Sequence, residues 1–167
     1  HNETSTGVMS PLDQISDLMK TKYPDVLWLV DAVSSMAGVR IDVDSLGIDF
    51  IFSSTQKAWG LPAGFSVCAI SNRMIANSKT INYKGYLLDV LVYEKYYEKM
   101  QTPSTPSIPH MYGLKYILEN IDSEGLDNRW KRHMQNAEYT RNWALERGQS
   151  LFPEKGFESI TITCIRN

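Results

Sequence analysis

Apolar positions along the chain follow two rhythms. From residue 10 to residue 23 they recur at helical spacing, as Leu12, Ile15, Leu18 and Met19. Ser10, Pro11 and Asp13 supply a hydroxyl cap, a proline for the first helical position and an acid for the first turn. They predict a helix that stops at Tyr23-Pro24-Asp25. The rhythm then changes to short apolar runs, unbroken at residues 26–30 and interrupted by one polar residue at 48–52 and at 65–70, each bounded by turn formers. Runs of that length predict buried strands. The segments between them, "AVSSMAGVRIDVDSLG" and "SSTQKAWGLPAG", are rich in small residues and read as loops.

Helical spacing returns in the second half. An apolar, aromatic helix is expected over residues 86–100, then a loop, "QTPSTPSIP", with three prolines. Ser107 is placed to cap a helix carrying Met111, Leu114, Ile117, Leu118 and Ile121. A longer helix over 126–147 has Leu126, Trp130, Met134, Ala137 and Ala144 on one face and ends at Gly148. "ESITITCIRN" at the end reads as a strand, and a strand needs neighbours for its backbone groups. The chain therefore reads as a piece of a longer protein. A helix alternating with buried-type strands predicts an α/β domain.

Composition narrows the function without naming it. The 167 residues are 43% hydrophobic and 22% charged with a net charge of −2, ordinary for a globular domain. Basic residues are scattered, which disfavours a nucleic-acid or anionic-membrane partner. No apolar run reaches the ~20 residues that span a bilayer. Cys68 and Cys164 lie far apart and form no metal spacing with His1, His110 or His133. They read as small buried hydrophobes, reduced as in a cytoplasmic protein.

Four features carry chemistry. Asp31 closes the first apolar run, and ligands of open α/β sheets bind beyond the carboxyl ends of strands. Lys57 follows the second run among small and apolar residues, where partial desolvation would expose a neutral, nucleophilic amine. "HNETSTGV" offers the hydroxyls of Thr4, Ser5 and Thr6, and "QTPSTPS" those of Thr102, Ser104 and Thr105. Taken singly, each has an ordinary reading too: a capping aspartate, a solvated lysine, a capping loop and a linker.

Taken together, "HNETSTGVMSPLD", "WLVDAVSSMAGVRIDVDSLGIDF", "SSTQKAWGLPAG" and "TPSTPSIPHMYGLKYILE" resemble the class V aminotransferases. The resemblance is nearest to the alanine/serine–glyoxylate (serine–pyruvate) branch. Its most specific part is the separation of 26 residues from Asp31 to Lys57, with Gln56 directly before the lysine.

The resemblance implies pyridoxal 5'-phosphate (PLP) as cofactor and part of a fold-type I large domain over residues 1–147, three strands of a mainly parallel sheet with flanking helices, with residues 148–167 starting a smaller C-terminal domain. It implies Lys57 as the Schiff-base lysine and proton carrier, and Asp31 as the partner of the pyridine nitrogen. Val33 would pack on the ring, Thr4 would lie near the ring oxygen and Gln56 would bond the phosphate. Thr105 would reach the phosphate of a neighbouring subunit's cofactor, so a homodimer is implied. Thr55 and Trp59 are further candidates for lining the site. The ring-stacking aromatic, a Gly-rich phosphate turn and the substrate-binding arginine belong to family segments outside this chain. Catalysis is therefore expected of the longer protein rather than of this piece. The implied reaction moves an amino group from a small amino acid such as alanine or serine to a 2-oxo acid such as glyoxylate or pyruvate. Other class V chemistries stay open: phosphoserine or aminoethylphosphonate transamination, or a cysteine desulfurase-like lyase. So does an inactive α/β module.

Overall fold

The computed structural model describes residues 1–166. Strands β1 (Asn2–Glu3) and β2 (Val8–Met9) form a small antiparallel hairpin ahead of helix α1 (Leu12–Lys22). The structure corrects the cap of α1. Pro11 is the capping residue and no side chain bonds there; the first turn closes through the Pro11 carbonyl, which accepts from the Ile15 N–H at 3.1 Å.

A three-stranded sheet follows, built from β3 (Leu29–Asp31), β4 (Phe50–Ser54) and β5 (Ser66–Ile70) in that order. β3 pairs parallel with β4, and Asp31 lies in register with Phe52. Helix α2 (Val43–Leu46) supplies the crossover between them. Asp42 caps it by accepting from the Ser45 N–H at 3.3 Å, and Gly47 closes it at φ +75°. β5 pairs antiparallel with β4, so one of the two pairings departs from the expected parallel pattern. The reason is the connection. Residues 55–65 contain no helix and are too short for a parallel crossover, so the chain can only turn back.

The core lies between this sheet and α1 and α2. Leu12, Val30, Ala32, Leu46, Ile48 and Ile51 are buried together, with Trp28, Met36, Ile41 and Val43 packed around them. A fully buried aliphatic side chain contributes about 1.5–3 kcal/mol, so this cluster anchors β3 and β4 as a unit. Beneath the sheet, Asp49 accepts from the Trp28 N–H at 2.9 Å, the Ser71 hydroxyl at 2.8 Å and Arg73 Nε at 2.9 Å. Arg73 also reaches the carbonyls of Pro24 and Val26. That network fixes helix α3 (Asn72–Ser78), which is capped by Ser71.

Helix α4 (Val90–Tyr97) is shorter than the expected 86–100 because the Asp89 side chain caps its start, accepting from the Leu91 N–H. Helices α5 (Ile108–Glu124) and α6 (Leu126–Leu145) are joined through Gly125, which sits at φ +80°. Ser107 is the capping residue of α5, as expected, and its carbonyl accepts from the Met111 N–H at 3.1 Å; its hydroxyl bonds His110 Nδ1 at 2.8 Å rather than a backbone N–H of the first turn.

The final expected strand is mostly not one. Among its described residues, the strand formed is β7 (Ile165–Arg166), which pairs antiparallel with β6 (Ser150–Leu151); Asn167 lies outside the described residues. Upstream, the Ser159 hydroxyl accepts from the N–H groups of Thr161 and Ile162, each at 3.2 Å, and bends the chain. Such local side-chain bonds compete with a strand ladder. The segment after Arg147 returns to the first hairpin, through a bridge between Val8 and Glu158.

Candidate active site

Because β3 and β4 are parallel, their carboxyl ends lie side by side. Asp31 ends one and the loop carrying Gln56 and Lys57 follows the other. Two loops from adjacent parallel strands thus present an acid and an amine at one edge of the sheet, the usual ligand end. Asp31 is exposed; its Oδ1 accepts from the Val33 N–H at 2.9 Å, a turn that holds the carboxylate at the strand end. Gln56 and Lys57 are also exposed. The expected partial desolvation of Lys57 is therefore absent in this chain. A tight turn, with the Lys57 carbonyl accepting from the Gly60 N–H at 2.9 Å, carries the lysine out of the core.

Thr55 and Trp59, expected as lining residues, are buried beneath the loop at 0% and 8% exposure. The Thr55 hydroxyl donates to the Pro62 carbonyl at 2.7 Å. Trp59 Nε1 donates to the Ser53 hydroxyl at 3.1 Å, which donates onward to the Val33 carbonyl at 3.2 Å. This chain of bonds ties the Lys57 loop to the loop that follows Asp31.

Lys57 opens onto a cleft of about 310 Å³ lined also by Thr4, Ser34, Ala58, His133, Thr161 and Ile162. The Thr4 and Ser34 hydroxyls lie 3.1 Å apart, and Asn2 Nδ2 donates to Thr161 Oγ1 at 2.8 Å. Sequence reading missed Ser34, His133 and Thr161. His133, on α6, forms part of this wall. Burial, then the cations of Arg129 and Arg132, lower its pKa, so its imidazole favours the neutral form. Among the described residues, the buried side-chain polar atoms without a partner are His133 Nε2, which lines this cleft, and Asn2 Oδ1, whose residue bonds Thr161 in the cleft wall.

Thr105 lies elsewhere. It lines a separate groove of about 500 Å³ with Tyr93, Tyr97, Thr102 and Phe65. Cys68 is exposed on β5, because the outer side of that edge strand is uncovered; the reading of a buried small hydrophobe fails for it. Cys164 is half-buried and its thiol faces the Thr4 carbonyl at 3.5 Å. No group of three metal-type ligands occurs among the described residues. No described helix is long and apolar enough to cross a membrane.

Residues 1–159 match the family model of class-V aminotransferases. The chain belongs to that family. An uncharacterized aminotransferase of Methanocaldococcus jannaschii is 39% identical over 165 residues, covering 98% of this chain and 42% of the relative. Serine–glyoxylate aminotransferase of Arabidopsis thaliana is 36% identical, covering 84% of this chain and 35% of its own. The crystal structure of an alanine–glyoxylate aminotransferase from Nostoc sp. superposes with a TM-score of 0.91 at 34% identity, over 99% of this chain and 44% of that one. The class V chain thus spans about two fifths of the length of the relatives it matches, and its α/β fold is that of their solved structures.

Proposed function

We propose that the full-length protein is a PLP-dependent aminotransferase. In this reading it moves an amino group from a small amino acid, such as alanine or serine, to a 2-oxo acid such as glyoxylate or pyruvate. The observation that carries the proposal is the placement of Asp31 and Lys57 on adjacent loops at the carboxyl end of the β3–β4 pair. The residues present suit PLP: an exposed amine and hydroxyls line one cleft with the unpaired His133 Nε2, and an exposed carboxylate ends the adjacent parallel strand. When bound, the cofactor supplies an electron sink for a carbanion.

The chain's own residues have distinct tasks. Asp31 holds a proton on the ring nitrogen; the Val33 N–H already fixes one of its oxygens, which leaves the other free to turn outward. Val33 gives an apolar surface for the ring. Lys57 is the amine that attaches the cofactor and, once released, carries the proton. Its exposure lets the side chain swing between the two tasks. Gln56 and Thr4 offer polar groups to the phosphate and the ring oxygen. Thr105 lies outside the Lys57 cleft, which accords with service to a partner subunit in a homodimer.

The test uses the full-length protein with PLP. Borohydride reduction followed by peptide mapping is expected to place a pyridoxyl group on Lys57. Lys57→Ala is expected to abolish that label and lower transamination by about a thousandfold or more. A screen of alanine, serine and phosphoserine against glyoxylate and pyruvate then assigns the substrates. Absence of PLP binding, or labelling confined to other lysines, overturns the reading.

A further inference from the structure

Arg129 sits on α6, 71 residues from Ala58 and 92 from Ala37, yet touches both. Its side chain is only 12% exposed. Nε donates to the Ala37 carbonyl at 2.7 Å, one terminal nitrogen donates to the Ala58 carbonyl at 2.6 Å, and the other donates to Glu124 Oε2 at 3.2 Å. Ala58 directly follows Lys57. Ala37 belongs to the loop that follows Asp31 and holds φ +69°, a left-handed conformation that alanine adopts at a cost. One planar fork therefore spans the loop of the acid and the loop of the amine.

The geometry is specific to arginine. A guanidinium presents donors in a fixed plane, so two carbonyls bound to it acquire a fixed separation; an ammonium offers a single centre. Glu124 keeps the fork in place from the end of α5. It also accepts from Arg132, at 2.6 Å on Oε1 and 2.9 Å on Oε2. Arg132, and then Arg129, hold the Glu124 carboxyl down to about 2, so it stays ionised through the working pH range.

We propose that Arg129 is a positioning residue that sets Lys57 relative to Asp31, with Glu124 orienting its guanidinium. The proposal rests on the cofactor roles given above to Lys57 and Asp31. Arg129 acts through main-chain carbonyls and touches neither side chain, so its effect is on where the two functional groups sit. Small displacements of that kind cost about a hundredfold in rate when they misalign reacting groups.

The test compares Arg129→Met, Arg129→Lys and Glu124→Gln in the full-length protein. Three readouts are taken: affinity for PLP, the pH midpoint of the visible cofactor band, and deuterium uptake of residues 32–38 and 55–60. Arg129→Met is expected to weaken PLP binding about tenfold. It should also shift the pH midpoint by about half a unit or more and raise uptake in both loops together. Arg129→Lys and Glu124→Gln should move the same readouts less. A folded Arg129→Met protein with unchanged midpoint and affinity overturns the proposal, even if its melting temperature falls. Uptake that rises in one loop only overturns it as well. If Arg129→Met does not fold, Arg129→Lys and Glu124→Gln decide by the same criteria. Absence of a cofactor band in the unaltered protein marks failure of the PLP reading instead. The paired uptake change still decides whether Arg129 couples the loops.

Discussion

Thr55 and Trp59 flank the exposed pair Gln56 and Lys57, and both are buried. They serve the site from beneath. Through Ser53, Trp59 connects the Lys57 loop to Val33, and the same bond satisfies an indole N–H that is otherwise costly to bury. Trp59→Phe removes the donor and the fused five-membered ring of a buried side chain, so it is expected to cost about 1–3 kcal/mol, read as a fall in melting temperature of the full-length protein. The positions of Asp31 and Lys57 at the carboxyl ends of β3 and β4 were legible in the sequence, because Asp31 closes one short apolar run and Lys57 follows the next after a short loop. Ser34, His133 and Thr161 were not. Thr161 reaches the Ser34 carbonyl across 127 residues, and no local pattern announces a contact at that range. The exposure of Lys57 was also misread, since the apolar composition around it belongs to residues that pack below the loop.

At the level of elements, two features decide whether the loops keep their shape. The first is the junction of β4 with α3. Arg73, above all other causes, holds the Asp49 carboxyl down from 3.8 to about 2. A depressed folded-state pKa stabilises the fold above the ordinary carboxylate range. That contribution shrinks as pH falls below about 4 and is lost once pH passes through about 2. Asp49 is 3% exposed but the Arg73 side chain is 46% exposed, so solvent screening trims the effect to on the order of 1–2 kcal/mol. Arg73→Ala should therefore lower the melting temperature clearly at pH 7 and by roughly half as much near pH 3; an equal loss at both would remove the ion pair from the account. The second feature is Gly38. A Cβ there would come within 2.7 Å of Thr161 Cγ2 and 3.2 Å of Ala58 Cβ. Thr161 is branched and held by Asn2 and Ser34, so it cannot yield cheaply, and Gly38→Ala is expected to cost about 1–3 kcal/mol. At Gly113 the near atom is the flexible tip of Leu61 at 2.9 Å, and the site is inside α5. There alanine gains helix propensity, up to about 1 kcal/mol, which offsets the crowding. Paired thermal melts should show a large fall for Gly38→Ala and little change for Gly113→Ala. The strand and helix order that frames these positions was readable from periodicity. The antiparallel turn of β5 and the bend at Ser159 were not, because connection length and local hydroxyl bonds override an apolar pattern.

For the whole molecule, the arrangement of Thr105 poses the sharpest question. Within one chain it lines a groove with Tyr93 and Tyr97, apart from the cleft of Lys57. If two subunits share each site, a lesion at Thr105 and a lesion at Lys57 fall in different chains but can fall in one site. Co-expressing full-length Lys57→Ala and Thr105→Ala subunits under separate affinity tags isolates the hybrid. Should Thr105 act across the interface, the hybrid carries one site with both lesions and one with neither, so it recovers about half the activity of the unaltered dimer. Should Thr105 act within its own chain, the hybrid has one site without the lysine and one weakened by the threonine loss. Its activity then stays at about half that of the Thr105→Ala homodimer. The two expectations differ by the whole factor that Thr105→Ala costs, about tenfold for a lost hydrogen bond to a charged phosphate. One rate measurement on the purified hybrid therefore decides which chain the hydroxyl serves.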